Sequence, residues 1–261
     1  MVKKVVLFLV DGMRPDALAQ VNTPVMDRMM QQGMFTLAAQ TVMPSVTLPS
    51  HMSLFFSSVP GRHGIVTNTF TPMVRPIPSL FDVLHNNDYK TASFTNWEQL
   101  RDLSAPGSLT VSFMLANLKL PIGEADVELT QFALSWLTTH DCDFSFIYLG
   151  HTDEIGHKYG WMSEPYLQCV GWADRCMGIV MEALGSDVNY FVTADHGGHD
   201  QHHGSPMRED MTIPFLAMGP DVPACGEVDG EVSIMDIAPT ILNLFGCRKP
   251  DDWFGRDLLA E

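Results

Sequence analysis

The amino-acid sequence predicts an α/β fold with a doubly wound, mostly parallel sheet and helices on both faces. Short apolar runs rich in β-branched and aromatic residues alternate along the chain with longer segments of helical periodicity. This alternation is typical of parallel sheets whose strands are joined through helices. The runs are continuously apolar, as expected for strands covered on both faces. With 261 residues, the chain is long enough for one domain with a large core.

The first element is the apolar run VVLFLV at residues 5–10, which follows two lysines. Lysines before an apolar run resemble a signal peptide, but this run is short and meets Asp11 without a small-residue cleavage site. We therefore interpret it as a buried strand and expect a cytoplasmic protein. No stretch reaches the roughly 18 apolar residues of a membrane span, so we expect no membrane partner.

The later elements follow in alternation. A helix is predicted before Gly33, and a second helix is predicted where Thr47 precedes an apolar run with Pro49 in its first turn. We expect one domain over residues 1–261, with the irregular segment 96–121 as a small cap. The predicted helices are 23–32, 47–58, 79–87, 126–140, 164–185 and 232–246, and the predicted strands after the first are 35–42, 89–96, 143–151 and 189–197.

The charge of the chain limits its partners. The formal net charge of −16 argues against binding a nucleic-acid polymer or an anionic membrane through a basic surface. An anionic substrate would need a local reversal of this field, which bound divalent cations supply. The five cysteines form no CxxC pair, which favours reduced thiols over a zinc–thiolate site.

Three predicted strands each run into potential metal ligands. The first ends at Asp11, the second runs into DEIGH, and the third ends at Asp195 and His196. Asp153 and His157 of DEIGH are four residues apart and share one face of a helical turn. An acid after one strand is often only a helix cap, but a parallel sheet brings all three strand ends to one edge. Carboxylate and imidazole ligands without thiolate suit Zn²⁺, Mn²⁺ or Fe.

The segment PSVTLPSHMS offers a nucleophile. Its hydroxyls are Ser45, Thr47, Ser50 and Ser53. Thr47 stands where a hydroxyl precedes a helix, so it is either a plain N-cap or a nucleophile activated by metal and helix dipole. Free N–H groups of that helix would receive phosphate oxygens.

The motifs FLVDGMRPD, PSVTLPSH, GRHGIVTN, DEIGH and ADHGGHDQHHG, in this order, resemble the alkaline phosphatase superfamily and, within it, the type I phosphodiesterase/nucleotide pyrophosphatase branch. The resemblance covers nearly the whole chain. It implies an alkaline phosphatase-like fold and two divalent metal ions, usually Zn²⁺, with Mn²⁺ as the alternative. It also implies one ion held by Asp11, Thr47, Asp195 and His196, another held by Asp153, His157 and a later histidine, and Asn68 bound to a phosphate oxygen.

The resemblance leaves the substrate open. The sulfatase pattern of Cys or Ser followed by x-Pro-x-Arg is absent at Thr47, while phosphonate hydrolases share much of the motif set. We expect a phosphodiesterase/nucleotide pyrophosphatase acting on a small phosphate ester or nucleotide-like substrate. A phosphomonoesterase, phosphonate hydrolase or sulfatase on the same bimetal site is the alternative, and a non-enzymatic metal-binding domain is a more distant one. Near Thr47 the sequence offers only Arg62 and the neutral Asn68, which favours diesters over more highly charged monoesters.

The last ligand must be chosen among His199, His202 and His203. Adjacent residues of an extended chain point in opposite directions, so His202 and His203 cannot both reach one ion. Gly204 follows His203, as in the "HG" ligand of the family, and glycine permits a close turn. The prediction is therefore that His203 binds the second ion, and that His199 and His202 do not.

Overall fold

An eight-stranded mixed sheet forms the centre of the molecule in a computed structural model that describes residues 3–115 and 124–260. The order across the sheet is β4-β3-β5-β1-β6-β7-β2-β8. Neighbouring strands from β4 to β6 are parallel, whereas β7 runs antiparallel to both β6 and β2. The strands are β1 (Lys4–Val10), β2 (Met34–Gln40), β3 (Thr91–Thr95), β4 (Val111–Met114), β5 (Phe144–Leu149), β6 (Val188–Thr193), β7 (Thr212–Met218) and β8 (Gly226–Glu227).

The helices pack as two groups, in agreement with the predicted doubly wound fold. In one group α1, α5 and α6 each contact α7, and in the other α2, α4 and α9 contact one another. The described helices are α1 (Pro24–Gln32), α2 (Thr47–Phe56), α3 (Pro60–His63), α4 (Leu80–His85), α5 (Glu124–Leu137), α6 (His151–Tyr159), α7 (Glu164–Leu184), α8 (Arg208–Met211) and α9 (Ile237–Leu244), with short 3-10 helices at Pro15–Ala19, Glu98–Leu103 and Ile234–Asp236.

The central strands are buried along their length. Every residue of β5 and β6 is buried, and in β1 only Lys4 is exposed. Phe8, Phe146 and Phe191 from these three strands are at most 1% exposed within a continuous apolar core. Burial of such large side chains on both faces explains why the strands are apolar runs rather than alternating sequences.

The start of α2 differs from the prediction. Val46, not Thr47, is the N-cap, and Thr47 is the first helical residue. No side chain caps this helix, so the interpretation of Thr47 as a plain N-cap is wrong. The polar surroundings of its hydroxyl, described below, explain why this position carries a threonine.

The segment 96–121 is less irregular than expected. It contains the 3-10 helix Glu98–Leu103 and the strand β4, which pairs with β3 at the edge of the sheet. Residues 116–121 of the predicted cap lie outside the described residues, and the cap over the site stays a prediction. The sequence VSFM is short and only half-buried, which made its strand character hard to recognise.

The longest helix, α7, mixes charged with apolar residues. Within residues 3–115 and 124–260 there is no helix with the length and apolar character needed to cross a membrane.

Candidate metal centre

The predicted ligands meet at one edge of the sheet. Asp11 follows β1 directly, and Asp195 and His196 come just after β6. The helix α6 begins shortly after β5 and carries Asp153 in its first turn. Because β1, β5 and β6 are parallel neighbours, their carboxyl ends bring these side chains together.

Each of the three carboxylates has an oxygen that is buried without a hydrogen-bond partner. These atoms are Asp11 Oδ1, Asp195 Oδ2 and Asp153 Oδ1. Burial, reinforced by repulsion from Asp195 and Asp153, raises the pKa of Asp11 well above its usual value. Burial also raises the pKa of Asp195. Unpartnered buried carboxylate oxygens are costly for a protein unless a cation neutralises them, so this donor set fits metal ions.

The three predicted histidine ligands share one arrangement. The Nδ1 atom of His196 lies 2.8 Å from Gly197 O, that of His203 lies 2.9 Å from Ser45 O, and that of His157 lies 2.9 Å from Gln201 O. A carbonyl oxygen can only accept, so Nδ1 carries the proton and Nε2 presents a lone pair. Backbone bonds of this kind orient histidine ligands around metal ions.

Burial keeps two of these imidazoles neutral. It lowers the pKa of His196, and together with the nearby His196 it lowers the pKa of His203 to about 4. A neutral imidazole can bind a metal ion near neutral pH without first losing a proton.

The ligand atoms form two adjoining groups. One consists of Asp11, Asp195 and His196, the other of Asp153, His196 and His203, and within each group the ligand atoms lie within 4.8 Å of one another. The rings of His196 and His203 stack with centroids 3.8 Å apart, which holds the groups side by side. His157 lies beside the second group, with Nε2 3.5 Å from Asp153 Oδ2, and its side chain is 44% exposed.

Thr47 faces this cluster. Its hydroxyl donates to His196 Nε2 across 3.2 Å. The other three predicted hydroxyls bond elsewhere: Ser45 donates to Ser205 O, Ser50 bonds Thr41, and Ser53 bonds His63. Of the four candidates, Thr47 is therefore the one placed at the ligand groups.

Asn68 is attached to the same helix end. Its Oδ1 accepts the Leu48 N–H at 2.9 Å, which leaves its Nδ2 hydrogens for another acceptor. Pro49 has no N–H, and the Ser50 N–H bonds Val46 O. Of the first four residues of α2, only Thr47 therefore has a backbone N–H that could still receive a phosphate oxygen. This N–H has no partner among the described hydrogen bonds.

Two groups that the sequence analysis did not single out hold the carboxylates. The Tyr148 hydroxyl donates to Asp11 Oδ2, and the Gly12 N–H donates to Asp195 Oδ1 at 3.1 Å. Gly12 has a φ of +66°, and an added Cβ would lie 3.1 Å from Asp153 Oδ1, so both backbone conformation and close approach require glycine. A tyrosine inside a fully buried strand needs a hydroxyl partner, and this was the available sequence signal for Tyr148.

His51 and Trp161 complete the surroundings. His51 donates from Nδ1 to Thr47 O at 2.8 Å, and this Nδ1 lies 3.5 Å from Asp195 Oδ2. Trp161 bonds Gly12 O and packs edge-on against His157 and His203. An added Cβ at Gly198 would lie 2.2 Å from its ring, so small residues let the indole approach.

The remaining histidines of the 193–204 segment point elsewhere. His199 Nδ1 lies 2.7 Å from Asp210 Oδ1, and His202 is exposed. Backbone bonds in both directions between His199 and His202 close a tight turn. The turn leaves His203 beside Asp153, with Nε2 3.8 Å from Oδ1.

Arg62, the cation that the sequence offers near Thr47, is bonded outside the predicted ligand set. Its Nη1 donates to Arg75 O at 2.9 Å, and its Nη2 lies 3.3 Å from Asp252. Neither bond involves a predicted ligand.

The sequence profile described as "Type I phosphodiesterase / nucleotide pyrophosphatase" matches residues 5–101 and 117–211. The chain belongs to this family. The matched ranges contain every predicted ligand, so the alkaline phosphatase superfamily resemblance is confirmed.

Solved structures share the family's fold. The chain is similar to murine ectonucleotide pyrophosphatase/phosphodiesterase 5, described as an inactive threonine-to-alanine variant in complex with AMP, with a TM-score of 0.78 and 16% identity over 98% of this chain and 97% of that one. It is also similar to the lipoteichoic acid synthase LtaP from Listeria monocytogenes, with a TM-score of 0.77 and 23% identity over 98% and 75% of the two chains. A 2-O GAG sulfatase, BT1596, has a TM-score of 0.82 and 14% identity over 99% and 73%.

Curated relatives match part of the chain. The 2,3-bisphosphoglycerate-independent phosphoglycerate mutase of Clostridium kluyveri is 29% identical over 139 residues, or 51% of this chain and 26% of the mutase. That of Francisella tularensis subsp. tularensis is 30% identical over 115 residues, or 41% and 22%. The chain thus matches about a quarter of the length of these relatives.

Proposed function

We propose that this chain is a two-metal phosphodiesterase in which Thr47 is the nucleophile. The observation that carries the proposal is the position of the Thr47 hydroxyl, 3.2 Å from Nε2 of the histidine common to both ligand groups. A threonine that only began a helix would not need that contact. The inactive threonine-to-alanine variant of the murine neighbour supports a threonine nucleophile.

The ligand assignment starts from the two groups, keeps His196 with the first alone, and adds Thr47 to the first and His157 to the second. Asp11, Thr47, Asp195 and His196 would hold one divalent ion, and Asp153, His157 and His203 the other. Oxygen and imidazole donors favour Zn²⁺, with Mn²⁺ as the alternative. When bound, such ions lower the pKa of a coordinated hydroxyl and stabilise negative charge on phosphate oxygens.

The chain's own residues then prepare the reaction. Thr47 Oγ1 loses its proton and attacks phosphorus, the bond to the leaving alkoxide breaks and that oxygen takes up a proton, and water later hydrolyses the phosphothreonine ester and returns a proton to Oγ1. The Nδ2 group of Asn68 and the Thr47 N–H donate to nonbridging phosphate oxygens. Because Leu48 N–H holds Asn68 Oδ1, the amide is oriented before the substrate arrives.

The charges beside Thr47 favour diesters over monoesters. A monoester carries about one more negative charge, which an additional cation would have to balance. Arg62 is bound to Arg75 O and Asp252, so it does not serve this purpose. Phosphomonoesters, phosphonates and sulfate esters remain the alternative substrates of the same site.

Metal analysis combined with a chromogenic screen tests the proposal. Purified protein should contain about two transition-metal ions per chain, and chelation should abolish hydrolysis. The kcat/KM for bis(p-nitrophenyl) phosphate should exceed that for p-nitrophenyl phosphate. Full activity in chelator with well under one ion per chain would refute the bimetal site, and a clear preference for the monoester would refute the diester assignment.

A further inference from the structure

A polar cleft of about 400 Å³ lies beside Asn68. Because Asn68 bonds the Leu48 N–H, the cleft lies next to the proposed nucleophile. It is thus placed to receive an organic group attached to the phosphorus. Its lining residues are Asn68, Thr69 and Phe70 on one stretch of chain and Glu98, Gln99, Arg101 and Asp102 on the 3-10 helix Glu98–Leu103.

A larger cavity of about 840 Å³ adjoins this cleft. Phe70 and Asp102 line both spaces. Several further residues of the larger cavity are apolar, namely Met52, Phe56, Met73 and Ile77. The cleft and cavity together form a trough that is polar beside Asn68 and apolar further away.

The charges of the trough do not favour a second anion. Arg101 has Nη1 2.6 Å from Glu98 Oε1 and Nε 3.6 Å from Asp102 Oδ2. One guanidinium is therefore set against two carboxylates, a formal balance of −1. Among the described residues that line the larger cavity there is no lysine or arginine, and its Asp82 accepts N–H bonds from Ser79 and Ala105.

We propose that the trough binds a partly apolar ester group without negative charge, so that the preferred substrates are organic phosphodiesters rather than nucleoside polyphosphates. This inference rests on the proposed function and narrows it. An apolar group would contact Phe70 and the apolar wall, whereas a second phosphate would meet Glu98 and Asp102. Apolar contact with the wall adds affinity, and like charges lower it.

Three p-nitrophenyl phosphodiesters separate the effect of apolar contact from that of charge repulsion. Their second ester group is methyl, phenyl or 4-carboxyphenyl. We expect kcat/KM to be about tenfold higher for phenyl than for methyl, since a buried aromatic ring adds apolar contact. The carboxyphenyl diester should be several-fold slower than the phenyl diester. Phe70→Ala should remove most of the phenyl advantage through KM, whereas Phe132→Ala, at a half-exposed ring on α5, should leave the ratio of the phenyl to the methyl diester unchanged.

The charge contribution has a matched control. Glu98 and Arg101 form an exposed ion pair at a spacing of three residues, as do Arg248 and Asp251. Glu98→Gln releases Arg101 and should raise kcat/KM for the carboxyphenyl diester about two- to fivefold, the size expected for partly exposed charges. Asp251→Asn should have no effect.

The outcomes distinguish the two proposals. Equal rates for the three diesters, with Glu98→Gln indistinguishable from Asp251→Asn, would overturn the trough while the phosphodiesterase stands. A faster carboxyphenyl diester in the unaltered protein would overturn it as well. No hydrolysis of any of the three by metal-saturated protein would overturn both.

Discussion

Thr47 is a helical residue whose hydroxyl contacts the ligand groups. It begins α2 but does not cap it, and its hydroxyl is turned toward His196. We therefore interpret the threonine at this position as required for its contact with the ligand groups and not for helix stability.

Replacing Thr47 should separate catalysis from folding. The Thr47→Ala variant should lose at least about 10³-fold in kcat, because no nucleophile remains, while it keeps its fold and most of its metal. Thr47→Ser should retain part of the activity, since it keeps a hydroxyl. Steady-state kinetics with metal analysis check this. Normal turnover by the alanine variant would show that the hydroxyl is not the nucleophile.

Alanine variants of the neighbouring histidines test the second ion site. His203→Ala should lose one ion and nearly all activity, because Nε2 faces Asp153. The exposed His202 is the matched control, and its alanine variant should keep two ions and normal turnover. His199→Ala should also keep two ions but unfold more easily, since it leaves the buried Asp210 without its imidazole partner. Two ions and normal turnover in His203→Ala would assign the ligand to a neighbour.

The sequence predicts the ligands at Asp11, Asp195 and His196 because each comes immediately after a continuous apolar strand. It does not predict that Tyr148 bonds Asp11 or that Trp161 packs against two histidines. Those contacts join residues far apart in the chain, and their side-chain directions depend on packing that no local pattern encodes.

At the scale of elements, the start of α6 is fixed by a residue of another helix. Gly150 is the N-cap of α6 and has no side chain to offer. Asp126 of α5 accepts the N–H groups of Gly150 and His151, both at 3.1 Å, and a bond from Asn96. The Asp126 carboxyl thereby connects α5 to the residues that follow β3 and β5. It also fixes where α6, the helix that carries Asp153, begins.

Asp126 should make stability depend on pH. Burial raises its pKa to about 7, and the three donors offset this only in part. Since its pKa in the folded state lies above the unfolded value of 3.8, the folded state binds the extra proton. The stability from this proton is fully present below about pH 4 and is lost as pH rises through about 7.

The Asp126→Asn variant provides the measurement. The free energy of unfolding of the unaltered protein should fall, relative to this variant, as pH rises from about 4 to about 7. Denaturant titrations of both proteins across that range give the difference. A difference that is constant with pH would show that Asp126 does not titrate there.

Burial on both faces made β1, β5 and β6 predictable, but the equally buried β7 was not among the predicted strands, and its direction was not predictable either. The runs that became β1, β5 and β6 are continuously apolar, and this follows from burial. The antiparallel direction of β7 depends on where its connection to β6 ends. An apolar run contains no information on strand direction. The edge strand β4 was missed because exposure removes the apolar signal from half of its residues.

For the molecule as a whole, the candidate ligand cluster should make stability depend on both metal and pH. In metal-free protein the protonated forms of Asp11 and Asp195 are favoured, because burial raises their pKa values. The stability from these protons is present at acidic pH and is lost as pH rises. Bound cations favour the carboxylates instead, so the stabilisation by metal should grow with pH.

Thermal unfolding with Zn²⁺ or with chelator, between pH 5 and pH 8, checks this expectation. The difference in Tm between the two conditions should widen toward pH 8, and in Asp11→Asn it should be much smaller at every pH. Asp126 is present both with Zn²⁺ and with chelator, so its contribution to Tm largely cancels in the difference. A difference in Tm that stays constant or narrows with rising pH would contradict the expectation that stabilisation by metal grows with pH.

The antiparallel direction of β7 has a consequence for the histidine-rich segment. Residues 194–211 leave the sheet at the end of β6 and return at the start of β7, and both points lie on the same edge. A parallel neighbour would have drawn this stretch of chain across to the opposite edge. Here the segment is instead anchored at both ends on one edge of the sheet, so a change in the length of its exposed part would disturb no strand pairing. The fold thus brings Asp195, His196 and His203 of one connection back to the edge where Asp11 and Asp153 lie.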